Sequence, residues 1–226
     1  MQLVDDIYRF DLPRPATPPR DSKIAGDATI DEPISVHVID GEQTLLFGTG
    51  YESSADQLIG DLEPLGGPDV IIVEHGDPDH YGAVSSLRDA FGDVTVVAPR
   101  ADSEPLNDAG ITPEVRIEDG DERWGITAIH APGHTPGNMS FLHQKRGVLI
   151  VGDTFVHADS PIAARGSWSG PFAPMQFEYN SDDKAAKRSI RALTDERFRI
   201  ALLTHGSDVT DNAADALRTM AAEIPE

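Results

Sequence analysis

The sequence predicts an α/β protein in which strands and helices intermix, and three observations carry that prediction. Short apolar runs such as Val70-Ile71-Ile72-Val73 and Ile200-Ala201-Leu202-Leu203 have the length and composition of buried strands. Other stretches, such as the one carrying Leu58, Ile59, Leu62 and Leu65, repeat apolar residues at helical spacing. The order of these elements falls into two halves, each opening with a run of strands. A chain of 226 residues is long enough to bury a sizeable core, and no internal repeat, low-complexity tail or composition shift marks a second domain, so one domain over 1–226 is expected.

Taken in order, residues 3–10 read as an opening strand and 12–29, rich in proline and polar residues, as an irregular loop. Residues 34–39 and 44–47 flank Asp40-Gly41-Glu42, a hairpin signal in which turn formers separate two apolar runs. His37, inside the strand pattern, reads as structural. Gly48-Thr49-Gly50 closes the second strand and lacks the third glycine of a dinucleotide fingerprint. Ser53 or Ser54 is the expected cap of a helix that runs to about Leu65 and stops at Gly66-Gly67-Pro68. The strand at 70–73 leads into Glu74-His75-Gly76-Asp77-Pro78-Asp79-His80, then a helix over 83–91 and a strand over 94–98. Further strands are expected at Ile117, 124–130, 139–142 and 147–151. The segment 157–180 is too long for a simple connection and is expected to form a lid or substrate wall, with Trp168, Phe172 and Phe177 either lining a pocket or, as is commoner for aromatic residues, packing in the core. Its Gly166-Ser167-Trp168-Ser169-Gly170 carries Trp where a nucleophile elbow needs Ser. Asn180 or Ser181 is the expected cap of the next helix, with Asp182 and Asp183 in its first turn. A strand at 200–203 and a helix over 213–222 complete the chain.

Composition narrows the function. The formal net charge is −21, from 39 acids against 18 bases, and the acids are spread along the chain. Lys23, Lys145, Lys184 and Lys187 are its lysines. A dispersed acidic surface poor in lysine suits a protein working in concentrated salt, where the screening length falls to about 3 Å and self-repulsion costs little. At low salt such a charge repels nucleic acid and anionic membrane; at high salt it says little about nucleic acid, and no membrane partner is expected. Cysteine is absent, so any metal site must be built from His, Asp and Glu. The first residues lack the basic start and apolar run of a secretion signal, and a cytoplasmic location is the expectation.

The chemistry concentrates at four strand ends. The first carries His75, Asp77, Asp79 and His80; the others carry His134, Asp153 and His205. Histidines and carboxylates crowded this way suit bound cations, because burying such groups unpaired is costly. Seven groups suit two divalent ions, three for each with one carboxylate bridging. A pair of cations lowers the pKa of a shared water from 15.7 to about 7 and clamps an oxyanion or leaving group.

In these motifs the chain resembles the metallo-β-lactamase superfamily. The resemblance rests on the His75-Gly76-Asp77-Pro78-Asp79-His80 segment, the Pro132-Gly133-His134-Thr135-Pro136-Gly137 loop, Gly152-Asp153-Thr154 and the final His205, each after a strand and in the family's order. It implies an αββα four-layer sandwich of two mixed sheets flanked by helices, with metals at one edge. It also implies roles: His75 and His134 as first-metal ligands, Asp79, His80 and His205 as second-metal ligands, Asp153 as the bridge, and Asp79 as the group that orients the attacking water. Asp77 stands where most relatives carry His, and three roles are open to it: a ligand of the first metal, a ligand through water, or a solvated loop carboxylate that leaves that site weak. A hard oxygen donor there shifts preference from zinc, the first expectation for both ions, toward iron or manganese. The leading expectation is a hydrolase that uses a dinuclear-site hydroxide on a small-molecule ester, thioester or phosphodiester. The alternatives are a flavodiiron-like redox protein without the flavodoxin domain, and a non-catalytic member with a partly filled site. Glu74 is expected beside the ligands or at the surface, and His130 and His157 in structural roles or beside the ligands, rather than among them.

Overall fold

In a computed structural model that describes residues 1–15 and 31–225, the chain divides into two compact units, Met1–Ile117 and Glu118–Glu226. Each unit opens with strands, as the order of apolar runs predicts. The irregular loop expected over 12–29 lies mostly outside the described residues.

The first unit is a seven-stranded sheet in sequential order: β1 (Gln2–Val4), β2 (Ile7–Leu12), β3 (Ile34–Ile39), β4 (Leu45–Phe47), β5 (Val70–Ile72), β6 (Thr95–Pro99) and β7 (Val115–Ile117). The pairs up to β3–β4 are antiparallel, and β4 to β7 run parallel. The opening segment is a hairpin rather than one strand, because Asp6, at φ 60°, turns the chain between β1 and β2. Helices α1 (Ala55–Leu62), α2 (Pro78–Tyr81), α3 (Val84–Phe91) and α4 (Ser103–Asp108) join the parallel strands. Leu58 and Leu62 of α1 and Val84 and Leu87 of α3 pack with Val36, Val38, Leu46, Ile71 and Val96 in one core. Burying such a side chain contributes about 1.5–3 kcal/mol, which is what drives the amphipathic helices onto the sheet.

The expected serine cap of α1 is absent. Ser54 stands at the N-cap position, but its hydroxyl donates to the Pro13 carbonyl at 2.7 Å and ties the helix start to the end of β2. Helix α4 escapes sequence reading because it buries only Leu106 and so shows no apolar stripe.

The second unit holds a five-stranded sheet of order β14-β11-β10-β9-β8, built from β8 (Glu122–Arg123), β9 (Ile126–His130), β10 (Met139–His143), β11 (Val148–Ile150) and β14 (Ile200–Leu202). Only β11–β14 is parallel. Strands β12 (Val156–His157) and β13 (Phe172–Ala173) form a separate pair, so part of the long 157–180 segment is sheet. Phe172 is core, packed on Phe155 with ring centroids 4.9 Å apart, and not a pocket wall. Trp168 and Phe177 do border a cavity of about 920 Å³, which none of the seven candidate ligands lines. Helices α5 (Asp183–Ala192) and α6 (Ala213–Glu223) bury Ile190, Leu217 and Met220 with Leu142, Leu149 and Leu203. The cap of α5 is neither Asn180 nor Ser181. Asp182 takes that role, its carboxylate accepting the Ala185 N–H at 2.9 Å, while the Ser181 hydroxyl donates to the Gly133 carbonyl. Among the described residues, no helix is long and apolar enough to cross a membrane.

Candidate metal centre

In the first unit, β5 delivers the His75–His80 segment from a fully buried strand end. His75, Asp79 and His80 are buried, and Asp77 is half-buried. Asp79 and His80 lie on the short helix α2 rather than in a loop. Pro78 starts that helix, where its missing N–H costs nothing. Asp77 occupies the N-cap position without making a side-chain cap bond. Its Oδ2 stands 3.7 Å from His75 Nε2 instead. The His75 and His80 rings lie 3.9 Å apart between centroids. The buried Asp102 carboxylate accepts the Gly76 N–H at 2.9 Å and pins the segment from the side of α4. Glu74 is buried, not a surface group, and its Oε2 lies 3.0 Å from His80 Nδ1.

In the second unit, His134, Asp153 and His205 come from three different strand ends and are all buried. Asp153 Oδ2 lies 3.5 Å from His134 Nε2 and 3.4 Å from His205 Nε2. These spacings test whether a cation fits. Nitrogen and oxygen ligands at about 2.0–2.1 Å in tetrahedral geometry stand about 3.3 Å apart, so one carboxylate oxygen facing two imidazole nitrogens at 3.4–3.5 Å matches donors arranged for metal. The donor set is His and Asp throughout, which suits zinc, iron or manganese. Groups able to hold a divalent ion are therefore present in the fold.

The second set is held by a polar network that sequence reading missed. Asn138, fully buried, donates from Nδ2 to the Ala131 carbonyl and to Thr154 Oγ1, both at 2.9 Å. Its Oδ1 accepts the Asp153 N–H at 3.1 Å. Ser140 and Thr154 donate to the Val151 carbonyl at 2.7 and 3.0 Å. In the sequence Asn138 reads as one more turn former, and only the pairing of β10 with β11 brings it to Asp153. Gly133 has φ +143° and lies against α5: a Cβ there would come within 2.2 Å of the Ala186 nitrogen. The close approach lets Asp182 N–H and Ser181 N–H donate to the Gly133 and His134 carbonyls at 2.9 and 3.0 Å.

Among the described residues, the remaining histidines are not in the groups able to hold an ion. The exposed His130 ring lies 2.8 Å from the Pro136 carbonyl, and the His157 N–H donates to the His205 carbonyl at 3.2 Å. His157 Nδ1 is hydrogen-bonded to Asp159. His37 sits buried in β3, as its strand pattern implies. His143 is half-buried, and burial together with Arg146 holds its pKa below the ordinary 6.5.

Comparison with known proteins identifies the family. The sequence model of the Metallo-beta-lactamase superfamily matches residues 29–205, which reach into both units. The chain belongs to the metallo-beta-lactamase superfamily, a family of metal-dependent hydrolases. Among its relatives is the uncharacterized protein YobT of Bacillus subtilis strain 168, 26% identical over 197 residues, covering 77% of this chain and 83% of YobT. A hydroxyacylglutathione hydrolase of Aeromonas hydrophila is 31% identical over 94 residues, covering 40% of this chain and 34% of that enzyme. A metallo-beta-lactamase from Pontibacter korlensis shares the fold at a TM-score of 0.73 and 15% identity, covering 99% of this chain and 98% of the other. The fold class expected from the sequence, two mixed sheets flanked by helices, is the one these structures share.

Proposed function

We propose that the chain is a hydrolase with two divalent ions. In this reading His75, Asp77, His134 and Asp153 hold the first ion, and Asp79, His80, His205 and Asp153 the second. The observation that carries the reading is the Asp153 carboxylate oxygen facing His134 Nε2 and His205 Nε2 at 3.5 and 3.4 Å, a buried arrangement suited to bridging. The 3.7 Å approach of Asp77 Oδ2 to His75 Nε2 supports a ligand role for Asp77. Bound there, divalent ions supply Lewis-acid chemistry: they bring the pKa of water near 7 and polarise a carbonyl or phosphoryl oxygen.

The chain's own residues supply the rest. The Asp79 carboxylate orients the attacking water and accepts its proton. The four imidazoles offer neutral nitrogens and fix the geometry, and the burial of the ligand sets keeps bulk water from screening the charge. The substrate is a small ester, thioester or phosphodiester. Hydroxyacylglutathione hydrolases among the relatives favour the acyl compounds, although the Aeromonas hydrophila match spans only 34% of that enzyme. The acidic surface, with its net charge of −21, is read as an adaptation to concentrated salt.

The test is a panel of esters, thioesters and phosphodiesters run in high salt, on protein stripped by chelator and reloaded with zinc, iron or manganese. Hydrolysis that returns on reloading and disappears in His205→Ala supports the reading. Oxygen or peroxide consumption by the iron-loaded protein, with no hydrolysis of any class, would replace it with a di-iron redox reading. Asp77→His is expected to shift metal preference toward zinc, and unchanged preference would remove Asp77 from the ligand set.

A further inference from the structure

We propose that Glu74 is a positioning residue that fixes the tautomer and ring plane of His80, so that Nε2 is the nitrogen presented to a metal. The proposal deepens the metal-dependent reading above and rests on it for its metal readout.

Glu74 lies two residues beyond β5 and its side chain is 3% exposed; that of His80 is 1% exposed. Glu74 Oε2 stands 3.0 Å from His80 Nδ1. A neutral imidazole carries one N–H and one lone pair, and a carboxylate can only accept. The hydrogen therefore belongs on Nδ1, and the lone pair falls on Nε2, which is the form that a cation requires. An imidazole without such a partner populates both tautomers, and one of them puts a proton where the metal must sit.

The carboxylate packs against the strand next door. Gly48 follows β4 at φ +70°, and a Cβ there would stand 3.4 Å from Glu74 Oε2 and 3.5 Å from Oε1, in ordinary van der Waals contact. The Gly48 N–H donates to the Ile72 carbonyl at 3.0 Å, continuing the parallel β4–β5 pairing to the edge of the segment. Thr49 then holds the other end of His80. Its N–H donates to the His80 carbonyl at 3.0 Å, and its hydroxyl donates to the same carbonyl at 3.3 Å and accepts the Ala83 N–H at 3.2 Å. His80 is thus gripped at its ring by Glu74, two residues beyond β5, and at its carbonyl by Thr49, two residues beyond the neighbouring β4. The Gly48-Thr49-Gly50 sequence, which fails as a nucleotide fingerprint, acquires a role as the floor of this grip.

The test compares wild type with Glu74→Ala and Glu74→Gln. Long-range proton–nitrogen NMR on the metal-free protein reads the His80 tautomer. Competition with a chromophoric chelator reads zinc and cobalt affinity at each of the two positions. Wild type is expected to show His80 with its proton on Nδ1. Glu74→Ala is expected to show a mixture and to bind one ion about 10–100-fold more weakly, with the other little changed. If Glu74→Ala does not fold, Glu74→Gln is expected to show the same selective loss at smaller size, because its amide oxygen is a weaker acceptor. A wild-type His80 protonated on Nε2, or variants that keep both the tautomer and both affinities, would overturn the proposal. If wild type binds no metal, the hydrolase reading fails on its own, and the tautomer still decides the role of Glu74.

Discussion

Replacing Asn138 by alanine tests how the His134 loop and Asp153 are held together. The side chain makes three hydrogen bonds, to the Ala131 carbonyl, Thr154 Oγ1 and the Asp153 N–H, and is fully buried. Truncation leaves the Ala131 carbonyl and the Asp153 N–H in the interior without this partner. Each group so stranded costs about 1–3 kcal/mol, which gives about 2–6 kcal/mol in all. Thr154 loses less, since its hydroxyl still donates to the Val151 carbonyl. For a chain of this size each kcal/mol lowers Tm by about 2–4 °C, so a central value near 4 kcal/mol predicts a fall of about 8–16 °C. The assay is thermal unfolding followed by circular dichroism in high salt, with denaturant unfolding as a second measure. Asn138→Asp should do no better, because it turns an acceptor toward the Ala131 carbonyl. A loss below about 1 kcal/mol in Asn138→Ala would refute the reasoning, since it would mean that water or a shifted backbone replaces the network without cost.

Three further predictions follow from separate parts of the structure. Gly133→Ala combines backbone strain of about 1–3 kcal/mol with overpacking of similar size against the start of α5, whereas Gly120→Ala meets open space and carries strain alone; equal losses in the two variants would show that the Gly133 contact is not tight. Raising salt from about 0.1 M to 1 M shortens the screening length from about 10 Å to about 3 Å, so Tm should rise with salt, and a fall would contradict the reading of the −21 charge. Burial and Arg146 lower the His143 pKa in the folded state, so just below pH 6.5 the unfolded chain binds the proton that the folded one refuses. That group therefore adds to stability above pH 6.5 and subtracts as pH falls, and His143→Gln should make the slope of unfolding free energy just below pH 6.5 shallower. An unchanged slope, measured by denaturant unfolding, would contradict it.

Much of this was legible in the chain because the strands are continuous apolar runs and each candidate ligand follows one of them. β3, β5, β11 and β14 announce themselves by composition, and His75, His134, Asp153 and His205 by their position just beyond a strand. What stayed hidden depends on contacts between segments distant in sequence. The hydroxyl of Ser54, 41 residues from Pro13, goes to that carbonyl instead of capping α1. Asp182 rather than Ser181 caps α5, because Ser181 is drawn to Gly133, 48 residues away. Asn138 and Asp102 look like ordinary turn and surface residues until strand pairing buries them against the ligand segments. Helix α2 was invisible for a different reason. One turn starting at a proline is too short to show a period, yet it is what sets Asp79 and His80 on a helical turn.

The proposal that these histidines and aspartates hold two ions is put to elemental mass spectrometry of the protein purified in high salt, alongside Asp153→Asn. About two divalent ions per chain are expected in wild type, and a ratio of one or less when the carboxylate proposed to bridge them is neutralised. Wild-type protein that stays metal-free in the presence of added zinc, iron and manganese, or an Asp153→Asn variant that keeps both ions, would contradict it.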